Sequence, residues 1–247
     1  MTSPSESFFR LENVSVSYGR YEAVRNLDFE ISRGEVVGLL GDNGAGKSTT
    51  IKLMSGTERI TSGAIYLDGK EVALRSRRDS ENCGIETIYQ EAALIDQLSI
   101  VRNLFLSREI ANPIGLLKLG EMRRISREIL TNAVSISGIR DPDQEVGTLS
   151  GGQKQSVAIA RAVYFKRRLL LLDEPTSALS VRETDALLDY VRRLRDEGVA
   201  SVLVTHNLYH AFEVCDRFVV LSHGRKVLEV DKKDTTLREL TDHVIKM

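Results

Sequence analysis

No stretch of this chain approaches the roughly 20 consecutive apolar residues that a membrane-spanning helix requires. The opening segment, Met1 to Ser7, is polar and lacks the apolar run of a signal peptide. Basic residues are not in excess: the net charge is -1, which argues against nucleic acid as the main partner. Cysteine is scarce. Cys83 and Cys215 lie far apart without metal-ligand spacing, and are expected to be free thiols in a reducing cytoplasm. Internal repeats and low-complexity segments are also missing. What remains is a 247-residue chain, 42% apolar, as expected of a soluble globular protein with one large domain or two small ones. If such a chain works at a membrane, another subunit must carry it there.

Gly41-Asp42-Asn43-Gly44-Ala45-Gly46-Lys47-Ser48, followed by Thr49, meets every fixed position of the G-x-x-x-x-G-K-[ST] phosphate loop. Its context is right. Val36-Val37-Gly38-Leu39-Leu40 is a short apolar run of the kind a buried strand shows. Thr50, Ile51, Leu53 and Met54 suit a following helix, and Gly56 suits its C-terminal stop. The loop amides are expected to cradle phosphates. Lys47 should reach the outer two, and the Ser48 hydroxyl should hold Mg²⁺.

Leu169-Leu170-Leu171-Leu172 reads as a strand covered on both faces, and Asp173-Glu174 follow at its carboxyl end. Ligands of open α/β sheets sit at that end. Asp173 is placed to bind Mg²⁺ or its water, and Glu174 to polarise a water toward a γ-phosphate. Leu149-Ser150-Gly151-Gly152-Gln153 forms a second anion-binding helix start. Ser150 and Gln153 stand at capping-box spacing, and Val157, Ala160 and Tyr164 continue an apolar helical stripe. Gly151 and Gly152 leave first-turn amides bare, a ready site for a phosphate oxygen.

Residues around Phe8 to Ile31 and Ala64 to Leu74 alternate as antiparallel strands do, with Asp68-Gly69 as a hairpin turn. From Glu91 to Thr148 the pattern is helical. Asn112-Pro113-Ile114-Gly115 interrupts it, and Gly138 to Gly147 is a loop carrying Asp141-Pro142. The expected fold is α/β: a core with a mostly parallel sheet, an N-terminal antiparallel β subdomain and an inserted α-helical subdomain over about 91–160 that presents Ser150. The tail, 230–247, is charged and expected to be helical.

With these motifs in this order, the chain resembles the ATP-binding subunit of an ATP-binding-cassette transporter from about Phe8 to Glu229, as a single cassette domain with a phosphate-loop NTPase core. The resemblance makes the first loop Walker A, the Leu-Leu-Leu-Leu-Asp-Glu run Walker B, and Leu149 to Gln153 the family signature. It implies four further roles. Gln90 is similar to the glutamine that touches Mg²⁺ and the attacking water. His206, after the strand-like Ser201-Val202-Leu203-Val204, resembles the switch histidine at the γ-phosphate. Tyr18 stands where the family places a ring under adenine. Ser150, Gly151, Gly152 and Gln153 act in trans, closing over the γ-phosphate held by Lys47 of a second subunit. His210, His223 and His243 have no such context and read as structural or solvated.

Ile88-Tyr89-Gln90-Glu91, Leu98-Ser99-Ile100, Asn103-Leu104-Phe105-Leu106 and the stretch from His206 to Arg217 resemble the simple-sugar importers of that family. Ser180 stands where most cassettes have aspartate, a departure frequent in that group. The resemblance implies ATP and Mg²⁺ as cofactors. It also implies a homodimer or a dimer with a sister cassette, a transmembrane permease, and through it a periplasmic or extracellular solute-binding protein. The place implied is the cytoplasmic face of the membrane, with no nucleic acid. The alternatives are a soluble cassette ATPase of translation or DNA repair, a transporter of a non-sugar solute, and a nucleotide-binding regulator that does not hydrolyse, against which Glu174 and His206 argue.

Overall fold

The computed structural model describes residues 7–88, 94–132, 139, 141–164, 167–177 and 179–245. In chain order its strands and helices are β1 (Phe9–Tyr18), β2 (Tyr21–Ile31), β3 (Val36–Gly41), α1 (Lys47–Met54), β4 (Ser62–Leu67), β5 (Lys70–Glu71), α2 (Arg77–Asn82), β6 (Ile85–Ile88), α3 (Ile100–Leu104), α4 (Leu119–Asn132), α5 (Gly151–Tyr164), β7 (Leu169–Asp173), α6 (Val181–Asp196), β8 (Ala200–Val204), α7 (Leu208–Val214), β9 (Arg217–Ser222), β10 (Arg225–Asp231) and α8 (Leu237–Ile245).

Two compact units emerge: Met1–Thr87 with Arg167–Glu174 and Val191–Met247, and Ile88–Lys166 with Pro175–Tyr190. The first holds an antiparallel sheet in the order β2-β1-β4-β5. Its β4–β5 turn is Asp68-Gly69, with φ of 49° and 72°, the left-handed pair that a tight hairpin demands. A second sheet runs β10-β9-β3-β8-β7-β6, with β3, β7, β8 and β9 parallel to one another and β10 antiparallel at the edge. Period-two geometry explains the apolar runs in its centre. Val37, Leu39, Leu169, Leu171, Val202, Val204, Val219 and Leu221 share one cluster with Phe8, just before β1, and with Phe9, Leu27 and Ile31 from the antiparallel sheet. Val36, Leu40, Leu170, Leu172 and Leu203 point the other way and are also buried. A strand covered on both faces has no reason to alternate. Each buried branched side chain contributes about 1.5–3 kcal/mol of transfer free energy.

The helix expected after the phosphate loop stops as its sequence suggests. Gly56, at φ 70°, donates to Leu53 O, and the Thr57 amide donates to Lys52 O, which satisfies the last carbonyls of α1. In the charged tail, α8 buries Leu240 completely.

The second unit is helical. Ile100, Val101, Leu104, Phe105, Met122, Ile125, Val146, Val157 and Ala160 form its core. Tyr164, expected on the buried stripe of α5, is 38% exposed and turns its ring edge to Phe105 at 5.8 Å. A tyrosine with a polar tip gains from staying at the rim. Of the loop expected from Gly138 to Gly147, Gly138 and Arg140 lie outside the described residues; its end overlaps a short 3₁₀ turn, Val146–Thr148, just before the signature. Pro175–Tyr190 also belongs to this unit, a grouping that hydrophobic periodicity does not reveal.

Candidate functional site: a phosphate loop with paired carboxylates

The parallel sheet delivers the chemistry to one edge. β3 ends at Gly41, and the chain turns through Asp42 to Gly46 into α1. Two glycines are forced here. Gly41 has φ +139°, and a Cβ on it would fall 2.2 Å from Leu221 O. Gly46 has φ +104°, and a Cβ there would fall 2.7 Å from Ala23 O. Both obstacles are backbone, so neither can step aside. The loop is braced from behind: Gly224 donates to Ala45 O at 3.0 Å and accepts from the Arg25 amide at 2.7 Å.

Helix α1 has no side-chain cap at Gly46. The amides of Gly44, Gly46, Lys47 and Ser48 have no protein partner among the described residues. A preformed, uncapped helix start of this kind is an anion site. Lys47 Nζ folds back on the loop, donating to Gly41 O at 2.7 Å and Asp42 O at 2.8 Å. Burial pulls its pKa down, while Glu174, Asp42 and Asp173 pull it back up. Its charge is thus held by neutral carbonyls and nearby acids until stronger acceptors arrive.

Two strands over, β7 ends at Asp173. Burial, then the charge of Glu174, lifts the Asp173 pKa above the ordinary carboxylate range; Lys47, Lys52 and a hydrogen bond from the Ser48 hydroxyl oppose the shift. Glu174 adopts φ 49°, rare for a side-chain-bearing residue, and its amide donates to Val204 O at 2.9 Å. That tie to the end of β8 places it beside His206. His206 Nδ1 lies 2.8 Å from Glu174 Oε2; the carboxylate is 16% exposed and the imidazole 78%. The structure therefore brings Lys47, Ser48, Asp173, Glu174 and His206 together at one sheet edge.

Mg²⁺ fits this donor set. A serine hydroxyl bonded to a carboxylate offers hard oxygen ligands, and no cluster of three or more His, Cys, Asp or Glu forms a closed metal cage among the described residues. Mg²⁺ prefers one or two protein oxygens, with phosphate and water completing its shell. Tyr18 closes β1 with its ring 46% exposed. Its hydroxyl donates to Glu58 Oε2 at 2.5 Å, and the Thr49 hydroxyl bonds to the Tyr18 phenol.

The signature lies in the second unit. Its capping box is complete: the Ser150 amide donates to Gln153 Oε1 at 3.0 Å, and the Gln153 amide to Ser150 Oγ at 3.2 Å. The amides of Gly151 and Gly152 keep no protein partner among the described residues. Glu183 is an unforeseen neighbour. Its carboxylate lies where a Gly152 Cβ would stand, 2.6 Å away, and it accepts from the Ser180 amide and hydroxyl at 2.9 and 2.7 Å. Ser180 thus caps α6, a role that the S-x-x-E spacing of Ser180 and Glu183 offers to a reader of the sequence. Gln90 lies outside the described residues. No described helix is long and apolar enough to cross a membrane.

Comparison with known proteins agrees with this geometry. The model of the family described as ABC transporter matches residues 24–177. A xylose/arabinose import ATP-binding protein of Sulfolobus acidocaldarius is 44% identical over 94% of this chain and 91% of its own length. A fructose import ATP-binding protein of Rhizobium meliloti is 40% identical over 90% of this chain and 87% of its own. A ribose import ATP-binding protein of Chromobacterium violaceum is 44% identical over 87% of this chain, which spans 42% of that longer protein. Among solved structures, an ATP-binding cassette in a dimeric, post-hydrolysis state with ADP and Pi superposes with a TM-score of 0.79 at 26% identity, covering 92% of this chain and all of that one. The fold, the intact phosphate loop and these matches lead to one conclusion: the chain belongs to the ABC transporter family, as one of its ATP-binding, ATP-hydrolysing cassettes.

Proposed function

We propose that this cassette powers import of a simple sugar through a separate membrane permease, working at the cytoplasmic face of the membrane and taking solute delivered by a binding protein outside. The names of its relatives support the sugar. Two cassettes, identical or sister chains, would bind Mg-ATP between them. The single observation that carries the catalytic half is the Glu174–His206 contact beside an uncapped phosphate loop.

The residues divide the work. Lys47 leaves Gly41 O and Asp42 O for phosphate oxygens, charged acceptors that bind an ammonium more strongly than amide carbonyls do. Gly44, Gly46, Lys47 and Ser48 present loop amides, Asn43 and Ala45 shape the turn between them, and Thr49 extends the first turn. Ser48 and Asp173, with Gln90, would hold Mg²⁺, which neutralises charge on the β- and γ-phosphates. The Glu174 carboxylate, held beside His206 Nδ1, would take a proton from the attacking water. With its imidazole 78% exposed, His206 would be free to reach the γ-phosphate. Tyr18 stacks the base. Ser150, Gly151, Gly152 and Gln153 of the second subunit close over the γ-phosphate, so ATP binding favours the closed dimer and hydrolysis releases it.

The test is transport. Membrane vesicles holding the cassette, a partner permease and a sugar-loaded binding protein should take up labelled xylose, ribose or fructose only with ATP. Uptake should vanish when Lys47→Ala replaces the native cassette. Uptake that ignores Lys47→Ala contradicts the reading.

A further inference from the structure

We infer that Glu58 is a positioning residue for the nucleotide base, fixing the Tyr18 ring as the platform on which the base stacks. The inference rests on the nucleotide site proposed above and concerns a residue that the sequence motifs leave unmarked.

Tyr18 is the last residue of β1 and pairs with Tyr21 across a two-residue turn. A ring at such a position, nearly half exposed, would by itself sample several rotamers. Here its hydroxyl is committed to Glu58 Oε2 at 2.5 Å, the short distance of a bond to a carboxylate. Glu58 is itself anchored. Its amide donates to Lys52 O at 3.1 Å, at the far end of α1, and its Oε1 accepts from the Arg59 amide at 3.2 Å. The residues just beyond tie to the same strand: the Thr61 amide donates to Ser15 O at 2.7 Å, and Thr61 Oγ1 accepts from the Ser17 amide at 3.0 Å. Thr49, in the first turn of α1, reaches the phenol from the other side. The Glu58 bond, with burial, also raises the Tyr18 pKa, so the ring stays neutral.

The phenol is thus clamped between the two ends of one eight-residue helix, and that helix begins at the phosphate loop. Because Thr49 lies in the first turn of α1, the contact ties the platform to the helix start that follows the phosphate loop. A base landing on this ring need not immobilise it, so less rotamer entropy is lost on binding. An exposed hydrogen bond with no such purpose would act on fold stability alone. A platform fixed for a base acts on ligands that carry a base.

The experiment compares equilibrium binding of ATP and of inorganic tripolyphosphate to the full chain, both with Mg²⁺. The native chain should bind ATP more tightly than tripolyphosphate. Glu58→Ala should weaken ATP binding about fivefold, the scale of one lost hydrogen bond, and leave tripolyphosphate binding unchanged. Glu58→Gln, which keeps an acceptor oxygen, should restore most of the ATP affinity. An unchanged ATP-to-tripolyphosphate ratio in Glu58→Ala overturns the inference, as does equal weakening of both ligands, which marks a merely structural role. A native chain that binds tripolyphosphate as tightly as ATP removes the base platform itself. A native chain that binds neither contradicts the phosphate-loop reading, and this inference falls with it.

Discussion

Helix α1 follows a glycine at its N-cap and α5 begins at one, yet α1 has no side-chain cap and α5 starts inside a reciprocal one. Around α1, backbone packs directly against Gly41 and Gly46, Lys47 is folded in as a resident cation, and two carboxylates and a histidine share the sheet edge. Around α5, Ser150 and Gln153 satisfy each other, Gly152 faces only the end of the Glu183 side chain, and Gln153, Lys154 and Gln155 follow instead of a catalytic acid. The first region has what phosphoryl transfer needs except closure over the outer phosphate. The second has amides for closure and nothing to do chemistry with. On the proposed reading, each copy would carry one equipped half-site and one complementary lid, a physical reason to expect two copies per ATP pair.

The contrast breaks most easily at Lys47. Lys47→Ala should abolish ATP binding or turnover while the fold survives, since the side chain bonds only to loop carbonyls that water can serve. Phosphate release together with circular dichroism checks it; normal hydrolysis by a folded variant contradicts the role given to α1. Glu174→Gln should come next, lowering turnover by about 10²–10⁴-fold, the usual contribution of a general base. Mg-ATP contacts by Lys47, Ser48 and Asp173 should persist, so size-exclusion chromatography with Mg-ATP should show more dimer than the native chain gives. Turnover at the native rate would remove Glu174 as the base.

The glycines sharpen the comparison at the level of stability. Gly41→Ala sets a Cβ into Leu221 O at a left-handed φ and should cost about 3 kcal/mol or more, combining strain and overpacking. Gly152→Ala meets a movable carboxylate within a helix, where alanine is the better helix former, and should change stability by less than about 1 kcal/mol. Chemical denaturation of both measures the difference; equal losses would erase the distinction drawn between the regions.

Much of this was legible in the sequence because it is local. The phosphate-loop spacing, the apolar run into Asp173, the Asp68-Gly69 turn and the Ser150–Gln153 box each depend on neighbours within a few residues. What stayed hidden depends on residues distant in the chain. Glu174 takes its left-handed backbone because Val204 O draws its amide, and Gly224 braces Ala45 from a hairpin far along the chain. Glu58 finds Tyr18 across 40 positions, and Glu183 reaches Gly152 from another helix. No spacing rule carries such contacts. Tyr164 shows the converse: its helical register is right, but a polar tip keeps it at the surface.

The smallest effect concerns pH. Burial and then Glu174 raise the Asp173 pKa, so the folded chain holds that proton more tightly than the unfolded chain does. The penalty for an ionised Asp173 is absent below the ordinary carboxylate pKa of about 4. It grows as pH rises and is complete above the raised value. At neutral pH Asp173→Asn should therefore raise the melting temperature by a few degrees, a gain that shrinks as pH falls toward 4. A lower melting temperature at pH 7 would show that the carboxylate is well satisfied without a cation.

The measurement that reaches the central claim mixes two defects. One chain carries Lys47→Ala, the other Ser150→Arg, and each alone should be inactive because both composite sites of its homodimer are damaged. A mixed dimer holds one site with both defects and one with neither. ATP turnover should therefore reappear on mixing, toward half the native rate per mixed dimer, in proportion to the mixed dimer formed. Mixed dimers present at full occupancy with no recovered turnover would contradict a signature that acts in trans.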